Sequence, residues 1–261
     1  MQRATSDGPV LRELRSLLTA VQYFTRMPVP VWVGHDATQL ARAARYFPIV
    51  GIGVGALGGA ALWVCTLFFT PLPGVVISTA LTVCITGAFH EDGLADTIDG
   101  LGGAMSRDRA LEIMKDSRVG TFGVLALVFT LLLKITALAA LPLREAILAM
   151  IAGHGLSRAC AVVLTWRLPY AREDTSTRAK PVVENVRTTD VIVAAICGLI
   201  PLLWIGIHAA FGLAAVAITL LLLYRWFQRR LGGYTGDTLG ATQQLSEVAF
   251  YLALLAAWNS Y

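Results

Sequence analysis

The chain has 261 residues, of which 56% are hydrophobic and only 15% are charged. Typical soluble domains carry about 25% charged residues, and the mean hydropathy here is +0.65. This composition excludes an ordinary soluble domain and indicates an integral membrane protein. The four cysteines all fall inside hydrophobic runs without a close pair, so neither a disulfide framework nor a zinc site is predicted.

Residues 9–26 precede the long hydrophobic runs and carry apolar side chains at helical spacing, with charged residues between them. This pattern predicts an N-terminal amphipathic helix that lies on the membrane surface. The sequence Met27-Pro28-Val29-Pro30 follows it and breaks the helix.

Hydrophobic runs near the length that crosses a hydrocarbon core of about 30 Å predict the membrane-spanning helices. We expect an all-α fold, a polytopic transmembrane helical bundle of about six or seven spans in a single integral membrane domain. The runs on either side of residue 209 also fit a re-entrant hairpin. The predicted spans are 48–70, 74–90, 119–141, 146–166, 190–208, 210–226 and 245–259.

The first predicted span contains the spaced glycines Gly51, Gly55 and Gly59. Small residues four apart form a face that allows another helix to approach closely. The spacing therefore predicts a tight helix–helix contact.

Basic residues are concentrated in the segments between predicted spans. Eighteen of the 21 Lys and Arg residues lie in 1–47, 91–118, 167–189 and 225–244. With seven spans these segments share one side of the membrane, which the positive-inside rule makes the cytoplasm. The net charge of +4 therefore reflects orientation and does not indicate nucleic-acid binding. We expect the cytoplasmic loops 91–118, 167–189 and 227–244 to form the active face.

The densest acidic stretch, 90–103, follows the second predicted span and contains Asp92, Asp96 and Asp99. In a helix these three carboxylates fall within a sector of roughly 60°. Such hard oxygen ligands suit Mg²⁺, which takes one or two carboxylates and leaves other positions for water and substrate phosphate. The alternative is a solvated helix start with a glycine stop. The hydrophobic run directly before the stretch favours the metal site.

Two further segments carry candidate phosphate ligands. After the acidic stretch, Lys115, Asp116 and Arg118 stand at a predicted membrane boundary, where binding to anionic lipid is the alternative explanation for the basic residues. Inside the fourth span, Arg158 follows His154 by four residues, and a structural contact with backbone explains it as well as a phosphate does. Lys134 lies deeper and has no obvious acidic partner.

A glycine-rich turn precedes the last predicted span. Backbone N–H groups in such a turn, and the N-terminus of the following helix, are suited to hold a phosphate. Asp237 is either a helix N-cap or part of the site. The residues concerned are Gly232, Gly233, Thr235, Gly236 and Asp237. Together with the acidic stretch, this turn supplies what metal-assisted phosphoryl transfer needs.

These segments resemble the cobalamin synthase family, whose members are adenosylcobinamide-GDP ribazoletransferases. The similarity extends along the chain in the family's order. Phe89, Glu91 and Tyr234 depart from residues common in the family, but no carboxylate is lost. The matching segments are His90 to Gly103, Leu111 through Gly123, Tyr170-Ala171-Arg172-Glu173, and Leu231 through Gly240 with Glu247.

The resemblance implies joining of α-ribazole, or its 5′-phosphate, to adenosylcobinamide-GDP with release of GMP. On this hypothesis Asp92, Asp96 and Asp99 hold Mg²⁺ on the pyrophosphate, and Asp237 completes the metal site or orients the attacking hydroxyl. Either His90 or Asp116 accepts the proton. The phosphate and substrate ligands would be Lys115, Arg118, Arg158, Arg172, Gly232, Gly233, Thr235 and Gly236. The other expected partner is the lipid bilayer of the cell inner membrane, and a homo-oligomer is left open.

Two other classes of protein share some of these features. A CDP-alcohol phosphotransferase also has a cytoplasmic acidic motif, Asp-Gly-x-x-Ala-Arg followed by two further spaced aspartates. Here Asp92-Gly93-Leu94-Ala95-Asp96 lacks the Arg and has tighter spacing. A cation transporter would carry acidic residues at mid-membrane depth, and we expect none in these spans. Both alternatives are disfavoured.

Overall fold

The computed structural model describes residues 8–34, 37–172 and 186–260, except for the side chains of residues 37 and 38. Within these ranges the chain is helical, which confirms the predicted all-α class. The α-helices are α1 (Pro9–Phe24), α2 (Ala37–Ala43), α3 (Phe47–Cys65), α4 (Pro71–Thr86), α5 (Phe89–Gly103), α6 (Arg107–Ile113), α7 (Thr121–Ala140), α8 (Leu143–Arg167), α9 (Thr188–Leu199), α10 (Ala209–Leu231) and α11 (Gly236–Trp258). Short 3-10 helices at Val31–Val33, Ala44–Tyr46, Ile200–Trp204 and Gly206–His208 join some of them.

The described ranges contain four helical segments long and apolar enough to cross a membrane, or five if the bent pair α4 and α5 forms one span. The four are Gln39–Cys65, Thr121–Ala140, Leu143–Arg167 and Gly206–Leu231. This count is lower than the predicted six or seven. The run 190–208 folds as the 12-residue α9 followed by 3-10 turns. The span predicted at 245–259 is the second half of α11, whose first half is polar.

α4 and α5 meet at a corner of 88°. Gly87 and Ala88 both adopt the left-handed conformation, with φ of +68° and +59°. Glycine takes this conformation at no steric cost, and the turn at Gly87 ends α4 at Thr86. The predicted span 74–90 was therefore too long at its C-terminal end. α5 therefore begins directly after a sharp, defined turn.

Two of the predicted loops are largely helical. Residues 91–103 belong to α5, and residues 236–244 belong to α11. Both helices pack inside the bundle because their small and polar side chains meet each other there. Of the predicted loop 167–189, residues 173–185, including Glu173, lie outside the described residues.

The predicted glycine face of α3 is confirmed and packs against α8. A side chain at Gly51 would overlap the carbonyl of His154, and one at Gly55 would overlap the carbonyl of Met150. The two backbones therefore approach as closely as the small residues allow. This contact fixes the part of α8 that carries His154.

The connections after α5, α8 and α10 meet at one end of the bundle. The guanidinium of Arg107 donates to the carbonyl of Leu231 at 2.9 Å and to that of Ala171 at 2.6 Å. Arg230 donates to the carbonyl of Ala104 at 2.6 Å. The described parts of the predicted active face are thus gathered in one place.

α1 is a helix as predicted, and the apolar side chains at its N-terminal end are exposed, whereas its C-terminal end packs against the bundle. Val10, Leu11 and Leu14 are exposed, whereas Phe24 is buried against the core. An exposed apolar stripe of this kind is typical of a helix at a membrane surface. Contact with lipid stays a prediction.

Candidate active site

The site is built where α5 crosses α11 without side chains between them. A Cβ atom at Gly93 would lie 3.1 Å from the Cα of Asp237 and 3.2 Å from the Cα of Gly240. Two glycines facing each other let the helix axes come close, as at other small-residue crossings. The crossing brings the start of α11 against the acidic face of α5.

The acidic side chains at this crossing are close enough to repel one another. Asp92 is exposed and Asp96 is half-buried. The Asp96 carboxylate interacts electrostatically with Asp237, Asp92 and Asp99. The predicted clustering of carboxylates on one face of a helix is therefore present, and α11 adds a fourth.

Asp99, predicted as a metal ligand, accepts two backbone hydrogen bonds, and metal binding by it stays a prediction. Its Oδ2 accepts the N–H of Gly120 at 2.7 Å, and its Oδ1 accepts the N–H of Gly123 at 2.8 Å. These are orphan donors at the N-terminus of α7, where a negative charge is stabilised. The Asp99 carboxylate thus caps the next helix.

A basic side chain balances part of the negative charge. Arg172 donates to Oδ2 of Asp237 at 2.6 Å, and both side chains are largely buried. A short backbone bridge places Arg172: the N–H of Ala171 donates to Tyr234 at 2.8 Å, and that of Tyr234 donates to Pro169 at 3.0 Å. Gly233 permits the bridge, because a side chain there would overlap the Pro169 carbonyl.

The other residues of the glycine-rich turn have structural roles. Gly232 ends α10 in the left-handed conformation, with φ of +70°. Thr235 is the N-cap of α11, and its hydroxyl accepts the N–H of Thr238 at 3.3 Å. Gly236 is the first residue of α11. Phosphate binding by this turn stays a prediction.

An open cleft of about 550 Å³ lies beside Arg172. Lys115 is exposed on its wall. The cleft is lined by Arg107, Asp108, Leu111, Glu112, Lys115, Ala171 and Arg172. Its basic side chains are suited to oxygen atoms of a phosphate, and it adjoins the carboxylates through the Arg172–Asp237 pair.

Asp116 and Arg118, both predicted site residues, form an exposed pair with each other. The guanidinium of Arg118 donates to Oδ2 of Asp116 at 2.6 Å. Hydrogen bonds from Arg118 lower the pKa of Asp116 to about 2. A carboxylate with so low a pKa is a poor proton acceptor near pH 7.

His90 and Arg158 do come together, but inside the bundle. Nη2 of Arg158 lies 3.0 Å from Nε2 of His90, and Nη1 donates to the carbonyl of His154 at 2.9 Å. Both His90 and Arg158 are buried. Arg158 is therefore held by protein groups, as the structural alternative expected, and the predicted proton acceptor His90 faces a guanidinium.

Sequence reasoning missed the partner of Lys134. Its ammonium lies 2.9 Å from Oε1 of Glu247, and both side chains are buried. Glu247 belongs to a predicted span, so the expectation of no acidic residue within the spans was wrong. The usable signal was one basic and one acidic residue in two apolar runs, since such residues pair with one another.

Tyr23 of α1 is a further residue that the sequence did not single out. Burial, followed by repulsion from Tyr170 and Asp237, raises the pKa of Tyr23 to about 12. The phenol therefore stays protonated close to the acidic cluster. It can donate a hydrogen bond, which a carboxylate cannot.

Magnesium fits the donor chemistry of this region. Among the described residues, no group of three or more His, Cys, Asp or Glu side chains is already arranged to hold a metal ion. Mg²⁺, however, is usually bound by one or two carboxylates together with substrate phosphates. Asp92, Asp96 and Asp237 offer such oxygen ligands beside a basic cleft. Magnesium binding stays a prediction.

Fold and site together define a helical membrane protein that gathers carboxylates and basic side chains at one end of its bundle. The model of the family described as cobalamin-5-phosphate synthase matches residues 16–255. The chain belongs to this family.

Individual relatives agree over nearly the whole chain. A protein of Ralstonia nicotianae is 46% identical over 96% of this chain and 98% of its own. Proteins of Leptothrix cholodnii and Shewanella amazonensis are 45% and 44% identical, each over 95% of this chain and 97% of their own. All three are named adenosylcobinamide-GDP ribazoletransferase. No solved structure matches the chain.

Proposed function

We propose that this chain joins α-ribazole, or α-ribazole 5′-phosphate, to adenosylcobinamide-GDP and releases GMP. The product is adenosylcobalamin or its 5′-phosphate, so the reaction assembles the nucleotide loop of cobalamin. The names of the relatives support the two substrates. The main structural support for the proposal is that Asp92, Asp96 and Asp237 lie close together where α5 crosses α11. Arg172 pairs with Asp237 there and also lines the basic cleft.

The reaction is a displacement at phosphorus. The ribose 3′-hydroxyl of α-ribazole attacks the phosphoryl group next to cobinamide, and an O–P bond forms. The P–O bond to the bridging oxygen breaks, and GMP leaves with the electron pair. One proton is lost from the hydroxyl. Negative charge develops on the phosphate oxygens and on the leaving group, so the protein must stabilise charge and orient both substrates.

Asp92 and Asp96 are the carboxylates that would hold Mg²⁺, with Asp237 as the third candidate. When bound, the ion would neutralise charge on the pyrophosphate and on departing GMP. Lys115 and Arg172 supply further positive charge toward phosphate oxygens.

We assign to Asp237 the role of orienting the attacking substrate hydroxyl. This carboxylate stands between the acidic face of α5 and Arg172, and the hydroxyl of Thr235 donates to it at 3.3 Å. A fixed carboxylate in this place orients the hydroxyl and takes its proton. The exposed Asp116 and the buried His90 are less suited to that step.

The site is proposed to face the cytoplasm from the cell inner membrane. The segments that form it are the ones rich in Lys and Arg, and the positive-inside rule places such segments in the cytoplasm. Both substrates are bulky and charged, which agrees with an open cleft at the end of the bundle.

The test is turnover by the purified full chain in detergent. Adenosylcobinamide-GDP and α-ribazole 5′-phosphate are supplied with Mg²⁺, or with a chelator in its place, and both GMP and the joined corrinoid are measured. Formation of both products only with Mg²⁺ is the expected result. Equal rates with the chelator would remove the metal from the proposal. A folded protein that turns over a CDP-activated lipid alcohol instead would overturn the reaction.

A further inference from the structure

A set of buried polar side chains from α5, α7, α8 and α11 lies beneath the candidate active site. We call it the buried network and define it as His90, Glu91, Lys134, His154, Arg158, Gln244 and Glu247. All seven are buried. Two routes of contacts run through it, and both start at Glu247.

The first route crosses α8. Nδ1 of His154 lies 3.4 Å from Oε2 of Glu247. Arg158 contacts Nδ1 of His154 at 3.2 Å through Nη1, and its Nη2 lies 3.0 Å from Nε2 of His90. The route therefore ends at the first turn of α5.

The second route crosses α7. The ammonium of Lys134 lies 2.9 Å from Oε1 of Glu247 and donates to Oε1 of Gln244 at 3.0 Å. Nε2 of Gln244 then donates to Oε1 of Glu91 at 2.9 Å. This route ends at the residue next to His90.

The network is balanced in charge and held on more than one side. It contains two cations, Lys134 and Arg158, and two anions, Glu91 and Glu247. The phenol of Tyr251 also donates to Oε1 of Glu247 at 3.1 Å, and Gln243 donates to its other oxygen. Buried charges without partners are costly, especially within a membrane, so loss of either member of the Lys134–Glu247 pair leaves a buried charge without its partner.

We propose that the buried network is a positioning device for the acidic face of α5, with Lys134, Gln244 and Glu247 as its positioning residues. Both routes end at His90 and Glu91, and the next residue is Asp92. These residues form the first turn of α5, directly after the left-handed corner at Gly87 and Ala88. Fixing this turn from two sides sets the direction in which Asp92 and Asp96 project.

A merely structural network would behave differently from a positioning device. If it only stabilises the fold, then any variant that restores charge balance restores both stability and turnover. If it positions α5, then charge balance restores stability while turnover stays low, because the contacts of Glu247 and Lys134 at the start of the two routes are still lost. An error of about 1 Å in the placement of reacting groups can cost about 10²-fold in rate.

The experiment compares Glu247→Gln, Lys134→Met and the double variant with the wild-type full chain in detergent. Melting temperature, kcat and KM are measured in the GMP-release assay. We expect lower melting temperatures for both single variants and recovery in the double variant. In all three, kcat should fall at least about tenfold, with KM within about threefold of wild type.

The pair Arg45 and Asp190 provides a matched control. Nη2 of Arg45 lies 2.7 Å from Oδ1 of Asp190, whose side chain is buried, and the pair joins the 3-10 helix Ala44–Tyr46 to α9. Arg45→Met with Asp190→Asn should change the melting temperature and leave kcat within about twofold of wild type.

A milder variant guards against loss of folding. Gln244→Met keeps both members of the Lys134–Glu247 pair and removes the hydrogen bonds of the Gln244 amide to Lys134, Glu91 and Gln243. It should melt within a few degrees of wild type and lower kcat about three- to tenfold. Wild-type kcat in Gln244→Met, or in the double variant, would overturn the proposal. The positioning role rests on the proposed function, but the experiment distinguishes the two. Absence of turnover in the wild-type protein would refute the proposed function. Wild-type turnover that none of the network variants changes would refute the positioning role.

Discussion

The buried network and the acidic cluster above it treat charge in opposite ways. The network contains two cations and two anions: Lys134 pairs with Glu247 at 2.9 Å, and Arg158 lies 3.0 Å from His90 and donates to the carbonyl of His154 at 2.9 Å. In the cluster Asp92, Asp96 and Asp237 crowd together, and Arg172 is the cation that contacts them among the described side chains. Paired charges can be buried inside a fold, whereas like charges crowded near a surface repel one another and favour the binding of a ligand of opposite charge.

This difference separates groups that hold the fold from groups that meet substrate. Both sets contain ionisable residues in one membrane protein, and composition cannot tell them apart. Asp92 is exposed, Asp96 is half-buried and Arg172 lines the open cleft, whereas all seven side chains of the network are buried. Three substitutions test this distinction, beginning with the strongest expected effect.

Asp96→Asn removes one negative charge from the centre of the unmatched cluster. We expect kcat to fall by at least about 10²-fold, because charge stabilisation at the reacting phosphate is lost. Membrane insertion and melting temperature should be close to wild type, since the replacement has the same shape. GMP release by purified protein measures the first effect, and the yield from membranes measures the second.

The control for this variant is Glu145→Gln, at the end of α8 remote from the cleft. Glu145 pairs with Arg144 at 2.5 Å and has no part in the cluster. Its kcat should stay within about twofold of wild type. Full activity in Asp96→Asn would contradict the role of the cluster in binding metal and substrate.

Gly93→Ala tests whether the crossing of α5 and α11 sets the geometry of the cluster. The added methyl group would lie 2.9 Å from the carbonyl oxygen of Asp237, so one helix must move. Overpacking of this kind costs about 1–3 kcal/mol, and we expect kcat to fall about tenfold because the carboxylates separate. Thermal unfolding and steady-state kinetics measure the two effects.

Gly53 on α3 is the matched control, because a Cβ there meets nothing within 4 Å. Gly53→Ala should leave kcat unchanged and raise stability slightly, by about 0.5–1 kcal/mol, since alanine favours the helix. If the kcat and stability of Gly93→Ala matched those of Gly53→Ala, the close crossing of α5 and α11 would not be required for activity.

Asp116→Asn should have the smallest effect of the three. Hydrogen bonds from Arg118 hold the pKa of Asp116 at about 2, so the carboxylate is ionised throughout the neutral range. It would take up a proton only as the pH falls through that low value. We expect kcat/KM within about threefold of wild type, since exposed ion pairs contribute little. The pH–rate profile between pH 6 and 9 should keep its shape. Loss of the fall in rate toward low pH, or of all activity, would restore Asp116 as the proton acceptor.

Features with a short period in sequence were predictable. The spacing of Asp92, Asp96 and Asp99 placed them on one helical face, and the spacing of the glycines in α3 predicted a close helix contact that is now seen with α8. Both depend only on the geometry of a single helix. The family resemblance was also confirmed, because its motifs are local.

Features that depend on distant partners were not predictable. Asp99 caps a helix that begins 22 residues further on, at Thr121, and the contact between Lys134 and Gln244 joins residues 110 positions apart. The sequence of one helix does not determine by itself which residue of another helix will contact it. In the glycine-rich turn, Gly233 is needed for the backbone bridge to Pro169, a partner 64 residues away that the local sequence does not indicate.

The polar first half of α11 also bears on how the protein is made. Gln243, Gln244 and Glu247 make α11 a poor segment for membrane insertion on its own, and outside α11 they contact side chains of α5, α7 and α8. Those three helices precede α11 in the chain, so Lys134 lacks its Glu247 partner until α11 has been synthesised. A folding intermediate without α11 therefore contains a buried cation without its acidic partner, a state that cellular quality control can distinguish from the folded protein.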